Sequence, residues 1–219
     1  MKPPSSRTAI VFILAALCVG CSSLYYKTWE TLGYHKRDIL VENVEEARDS
    51  QEQAKVQFQS ALEKFSSLVK VEAGELQTTY DKLNAEYEKS KSRAASVTDH
   101  IADVEEVAGD LFKEWQAELE EYGDAGLRRQ SEEQLTATKS KYEELIGSMK
   151  RAEVKMEPVL KAFGDRVLFL KHNLNAQAIS SLKSELTTIE TNVAALIKDM
   201  EAAVAEANQF IGEMKPPQA

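Results

Sequence analysis

The chain has 219 residues, with 27 Lys and Arg against 36 Asp and Glu, a net charge of −9. That acidity argues against general nucleic-acid binding, because phosphates would repel it. Hydrophobic residues at 43% and charged residues at 29% exclude a disordered chain and suit a globular or long-helical one.

The leader comes first. Lys2 and Arg7 precede an apolar run over residues 8–20. A bilayer-spanning helix needs about 20 apolar residues, and a run of about 10–14 reads as a signal-peptide core. Ser22, Ser23 and the charges from Lys27 onward end the run. The closing "CVGC" resembles the lipobox of bacterial lipoproteins, with Gly20 before Cys21 and Cys18 where an aliphatic residue is usual. The resemblance implies cleavage before Cys21, a diacylglycerol on its sulfur and palmitate-type acyl chains. Ser22 in place of Asp favours outer-membrane sorting in a Gram-negative cell. The alternative is an ordinary signal peptide cut near Gly20. Two acyl chains give stable anchoring, at about 0.8 kcal/mol per buried CH₂. Cleavage would remove Lys2, Arg7 and Cys18, leaving 25 basic against 36 acidic residues and no cysteine except Cys21. A mature chain of that kind has no disulfide or thiolate metal site.

The expected organisation is a signal peptide at 1–20, a lipidated tether and helix start at 21–34, a bundle at 35–214 and a tail at 215–219. Four of the five prolines lie in the first four or last four residues, so the interior has few chain breakers. Apolar residues recur in alternating steps of three and four, the signature of helices packed in a bundle or coiled coil. The first seam runs Leu40, Val44, Ala47, Ala54, Phe58, Ala61, Phe65 and Leu68, with Gln51 at one seam position. The second starts Leu76, Tyr80, Leu83, Tyr87, holds Ser90, and ends Ala108, Leu111, Trp115. The third passes through Leu135, Thr138, Tyr142, Met149, Met156 and Phe163, and the fourth extends from Ile179 to Met214.

Turn signals separate the seams: Gly74, then Gly123 and Gly126 around Asp124 as a helix N-cap, then Asn173 and Asn175. Short links make sequential helices antiparallel. The fold class is therefore all-α: an elongated antiparallel four-helix bundle or coiled coil, with helices at about 26–70, 75–121, 125–172 and 176–213. The alternative is two long hairpins that pair less tightly. Pro158 should kink the third helix. With Cys21 in lipid, the 122–126 turn falls at the membrane end, and the 71–75 and 172–176 turns fall at the distal end.

Two clusters stand out. Lys27, Trp29, Lys36, Arg37, Arg128 and Arg129 could form a basic, aromatic collar against anionic headgroups. The competing reading pairs the arginines with acids such as Asp38, Glu132 and Glu133. At the other end, Val167, Leu168, Phe169 and Leu170 are four consecutive apolar residues, too many for one helical stripe. Phe169, Lys171, His172, Asn173 and Asn175 could form a docking tip, or the polar groups could simply cap helix ends. His35, His100 and His172 lie in different helices, and no catalytic or phosphate-binding motif is present. No catalytic residue, metal or cofactor is expected.

"YYKTWETLGYHKRDILV", "LRRQSE", "MEPVLKAF" and "VLFLKHNLNAQAI" together resemble the bacterial family known as domain of unknown function number 2959. The resemblance implies a secreted, lipoprotein-type, all-helical protein of Gram-negative bacteria, with no known reaction, cofactor or catalytic residue. The expected function is a non-catalytic, periplasm-facing outer-membrane scaffold or adaptor that binds another envelope protein, with self-association left open. The alternative is a carrier or sequestering protein for a lipid or apolar ligand, with Tyr80, Tyr87, Phe163, Met149 and Met156 lining a cavity.

Overall fold

The computed structural model describes residues 36–69 and 76–215. They form five α-helices packed against one another, with no strand among the described residues. These are α1 (Lys36–Leu68), α2 (Leu76–Glu118), α3 (Ala125–His172), α4 (Ala176–Lys183) and α5 (Leu186–Met214). A single 3₁₀ turn, Leu119–Glu121, tightens the end of α2. The chain divides into a unit Met1–Ile39, of which only residues 36–39 are described, and a unit Leu40–Ala219. The tether and helix start expected at 21–34, and the turn at 71–75, lie outside the described residues.

Side-chain contacts within Leu40–Ala219 fix the topology. Asn43 donates to the Asp103 carbonyl at 3.4 Å, Arg93 to Gln53 at 2.6 Å and Gln57 to the Glu86 carbonyl at 3.1 Å. The partner number falls as the other rises, so α1 and α2 are antiparallel. Lys150 pairs with Glu105, and the Tyr142 ring meets Phe112 with centroids 5.4 Å apart, which makes α2 and α3 antiparallel. Lys141 pairs with Glu213 and Lys155 with Asp199 at 2.6 Å, so α3 and α5 are antiparallel too. Lys215–Glu45 at 2.5 Å and Arg48–Asn208 at 3.2 Å close the ring between α5 and α1. Phe65 and Phe163 meet edge to face at 6.2 Å across the centre. The expected up-down-up-down bundle is the observed one.

The α1 seam is buried as its periodicity requires. Leu40, Val44, Ala47, Ala54, Phe58, Ala61, Phe65 and Leu68 are all fully enclosed. Truncating any of the buried phenylalanines to alanine should cost about 3–5 kcal/mol. The polar seam residue Gln51 is also 0% exposed. Its amide donates weakly to the Met149 carbonyl at 3.4 Å, and its own Oε1 has no partner.

One expectation needs correction. The fourth helix is not continuous over 176–213: it breaks at residues 184 and 185, between α4 and α5. Serine hydroxyls bond backbone carbonyls beside the break. Ser181 donates to the Ala178 carbonyl at 2.7 Å and Ser184 to the Ser181 carbonyl at 2.8 Å. Such local bonds compete with the helical ladder, and the Glu185 amide duly bonds Leu182, three residues back, at 3.1 Å. Pro158 lies inside α3, which continues through it as one 48-residue helix. Proline frees the carbonyl four residues earlier. That residue is Val154, whose side chain is 73% exposed, so the freed group faces water.

Candidate functional site

The site is built on the last three turns of α3. Met156, Val159, Phe163, Val167 and Leu170 continue one buried stripe at steps of three and four. Their neighbours in the apolar run must then face outward. Leu168 is 61% exposed and Phe169 41% exposed, on opposite flanks of that stripe.

Each exposed side chain borders a groove. On the α2 side, Leu168 lines an open groove of about 570 Å³. Tyr80, Asn84, Tyr87 and Lys91 form one wall, and Lys161, Gly164 and Lys171 form the other. On the opposite side, Phe169 lines a groove of about 400 Å³ with Leu182, Ser181, Arg166 and Glu185. Arg166 grips Glu185 there through Nε at 2.8 Å and Nη2 at 2.5 Å. It also donates to the Ala162 carbonyl at 3.1 Å, so the pair joins α3 to the break between α4 and α5.

The polar residues of the tip are divided in role. Asn173 caps α3: its amide reaches the Leu170 carbonyl at 3.2 Å and its side chain the Phe169 carbonyl at 3.0 Å. Asn175 caps α4 by accepting from the Ala178 amide at 3.0 Å. Lys171 and His172 are exposed in the last turn of α3, where the Lys171 cation favours the negative helix end.

At the other end, Asp124 caps α3 by accepting from the Gly126 amide at 2.7 Å and the Leu127 amide at 2.9 Å. Arg128 pairs with Glu120 at 2.6 Å. Arg129, Tyr122 and Leu127 are exposed on the same hairpin. Trp115 donates from its indole to Ser131 at 2.8 Å. Lys36 and Arg37 open α1 and both engage partners. Cys21, Lys27, Trp29 and His35 lie outside the described residues, so the collar is described only in part.

A family model described as "Protein of unknown function (DUF2959)" matches residues 25–214. The chain belongs to that family. No curated protein matches it. The match covers every described helix of this DUF2959 protein, including both grooves and the α2–α3 hairpin.

The residues named for an apolar carrier separate in the DUF2959 bundle. Met149, Met156 and Phe163 are core, with their side chains enclosed between helices. Tyr80 and Tyr87 instead wall the open α2–α3 groove. Among the described residues, no group of three His, Cys, Asp or Glu is arranged to hold a metal, and no helix is long and apolar enough to cross a membrane. Sequence reasoning singled out the 167–175 stretch through its apolar run. It missed the two grooves and the Arg166–Glu185 clamp, for which composition carries no signal.

Proposed function

We propose that this protein is a non-catalytic scaffold or adaptor of the bacterial envelope. It is anchored through Cys21 to the outer membrane, faces the periplasm, and docks a protein partner at the α3–α4 end. The observation that supports the docking role is the outward pair Leu168 and Phe169. Two large apolar side chains stand exposed on a packed helix end, each beside a groove. A helix of 48 residues is about 70 Å long, which would carry that end well clear of the headgroups. A carrier role has less support, because three of the five residues suited to it are already enclosed in the core.

The test is photo-crosslinking in living cells from residues 168 and 172, with exposed Glu143 as control. These positions are preferable to Asn173 and Asn175, whose replacement would remove caps. One recurrent protein adduct from 168 and 172, absent from 143, supports the role and names the partner. No adduct from either position rejects it. Mass spectrometry of the mature protein tests the anchor, and an unmodified Cys21 or another N-terminus would reject it.

A further inference from the structure

We infer that the groove between α2 and α3 binds an acidic, extended peptide segment of the partner protein. This rests on the docking role proposed above and adds the chemistry of recognition. The groove is walled by two antiparallel stripes. Lys161, Gly164, Leu168 and Lys171 follow one face of α3, and Tyr80, Asn84, Tyr87 and Lys91 follow one face of α2. Gly164 lets the two walls meet at the base. A Cβ there would stand 2.6 Å from the Tyr87 hydroxyl, so the missing side chain admits the tyrosine against α3.

Charge points to the ligand. Among the described residues, neither Lys161 nor Lys171 has an ion-pair partner, although the chain carries nine excess negative charges. Lys91 pairs with Glu88 at 3.1 Å and lies 5.5 Å from the Tyr87 ring centroid. Two carboxylates, Glu88 and Asp165, also line the groove, against three lysines. The first is already neutralised by Lys91. Asp165 and Asn84 can take backbone N–H groups of a bound strand.

Spacing sets the length. Lys161 and Lys171 are ten residues apart on one helix, or about 15 Å. An extended peptide rises about 3.3 Å per residue, so acids four or five positions apart reach both lysines. Between the cations stands exposed Leu168, which suits an apolar side chain. An acidic peptide with a central aliphatic residue matches charge, length and midpoint together.

The experiment titrates the isotope-labelled full mature chain, in detergent, with the blocked hexapeptide Glu-Ala-Leu-Ala-Ala-Glu. Saturable amide shifts are expected within residues 80–91 and 161–171. Affinity should fall at least tenfold in the double variant K161E/K171E, and at least tenfold when the peptide's Glu residues are replaced by Gln. Both lysines are exposed, so the variant should keep its helical circular dichroism. No saturable shift, or shifts indifferent to both charge changes, overturns the inference. So does tighter binding of a wall-derived muropeptide at the same amides, which would assign the groove to glycan. The two proposals fail separately: cellular adducts without peptide binding reject only the acidic-peptide groove, whereas missing adducts reject the docking role.

Discussion

The Tyr87 hydroxyl stands 2.6 Å from the place a Cβ on residue 164 would take. Gly164 lies inside α3, where glycine costs about 1 kcal/mol relative to alanine. Close approach of the two helices offsets that cost. Gly164→Ala in the native background should change stability by less than about 0.5 kcal/mol, because the propensity gain is cancelled by pushing the ring away. In a Tyr87→Ala background the same change should stabilise by about 1 kcal/mol. Urea unfolding of the four proteins measures this coupling, and equal effects in both backgrounds would refute it.

Gln51 gives the opposite kind of test. It is buried, donates one long bond to Met149 and leaves Oε1 unpartnered. An unsatisfied buried polar atom costs about 1–3 kcal/mol. Gln51→Met keeps the volume and removes the orphan, so it should raise stability by about 1–2 kcal/mol. A polar residue in a seam also specifies register. The variant should therefore show broader amide resonances or mixed association states in sedimentation. A loss of stability would mean that Gln51 is better satisfied than its geometry indicates.

Arg166 and Glu185 hold the break in the last pass of the bundle. Arg166→Ala should loosen α4 without loosening α5, whose Ile189, Val193, Leu196 and Met200 are deeply buried. Hydrogen exchange should speed up at least fivefold over residues 176–183 and stay unchanged over 189–211. Uniform acceleration of both segments would show that the break is not a boundary between separately opening units.

Tyr142 supplies a pH signature. Burial, with Glu105 nearby, pushes its phenol up to about 12. The unfolded chain releases that proton near pH 10. Tyr142 therefore contributes no pH dependence below about 10. Above it the unfolded state loses protons first, and stability falls as pH rises toward 12. Absorbance titration should show one phenol ionising late, and Tyr142→Phe should remove that step and flatten the alkaline decline in stability. Loss of a step near pH 10 instead would contradict the burial argument.

The α1 seam was legible to the residue, Gln51 included, because one narrow stripe repeats without a break. In α2 the reading drifts. Ala108 is buried as the heptad requires, but beyond it Leu111 and Trp115 continue the heptad on paper while Val107 and Phe112 are the buried residues. A straight helix slips about 20° per heptad against a strict seven-residue repeat. Over several heptads the core face moves by most of a residue. Near the start of α2, Leu76, Leu83 and Ser90 keep the seven-residue spacing and are buried, whereas Tyr80 and Tyr87 are only partly buried on a groove wall. The break at 184 and 185 carries no glycine or proline. Serine hydroxyls bond carbonyls beside it, but Ser50 makes the same bond within unbroken α1, so a serine alone does not signal a break. The grooves depend on how two helices rotate against each other, which no single stripe encodes.

The antiparallel contacts Glu105–Lys150, Phe112–Tyr142 and Tyr87–Gly164 act as successive teeth along one rack. Adding a single residue between two of them would turn every later side chain by about 100° and unmesh the rest. Growth or shrinkage of such a protein must then come in whole heptads, matched in every pass of the bundle at the same height. Reach is thus inherited in steps of about 10 Å, and a lineage that alters it must alter all four passes together.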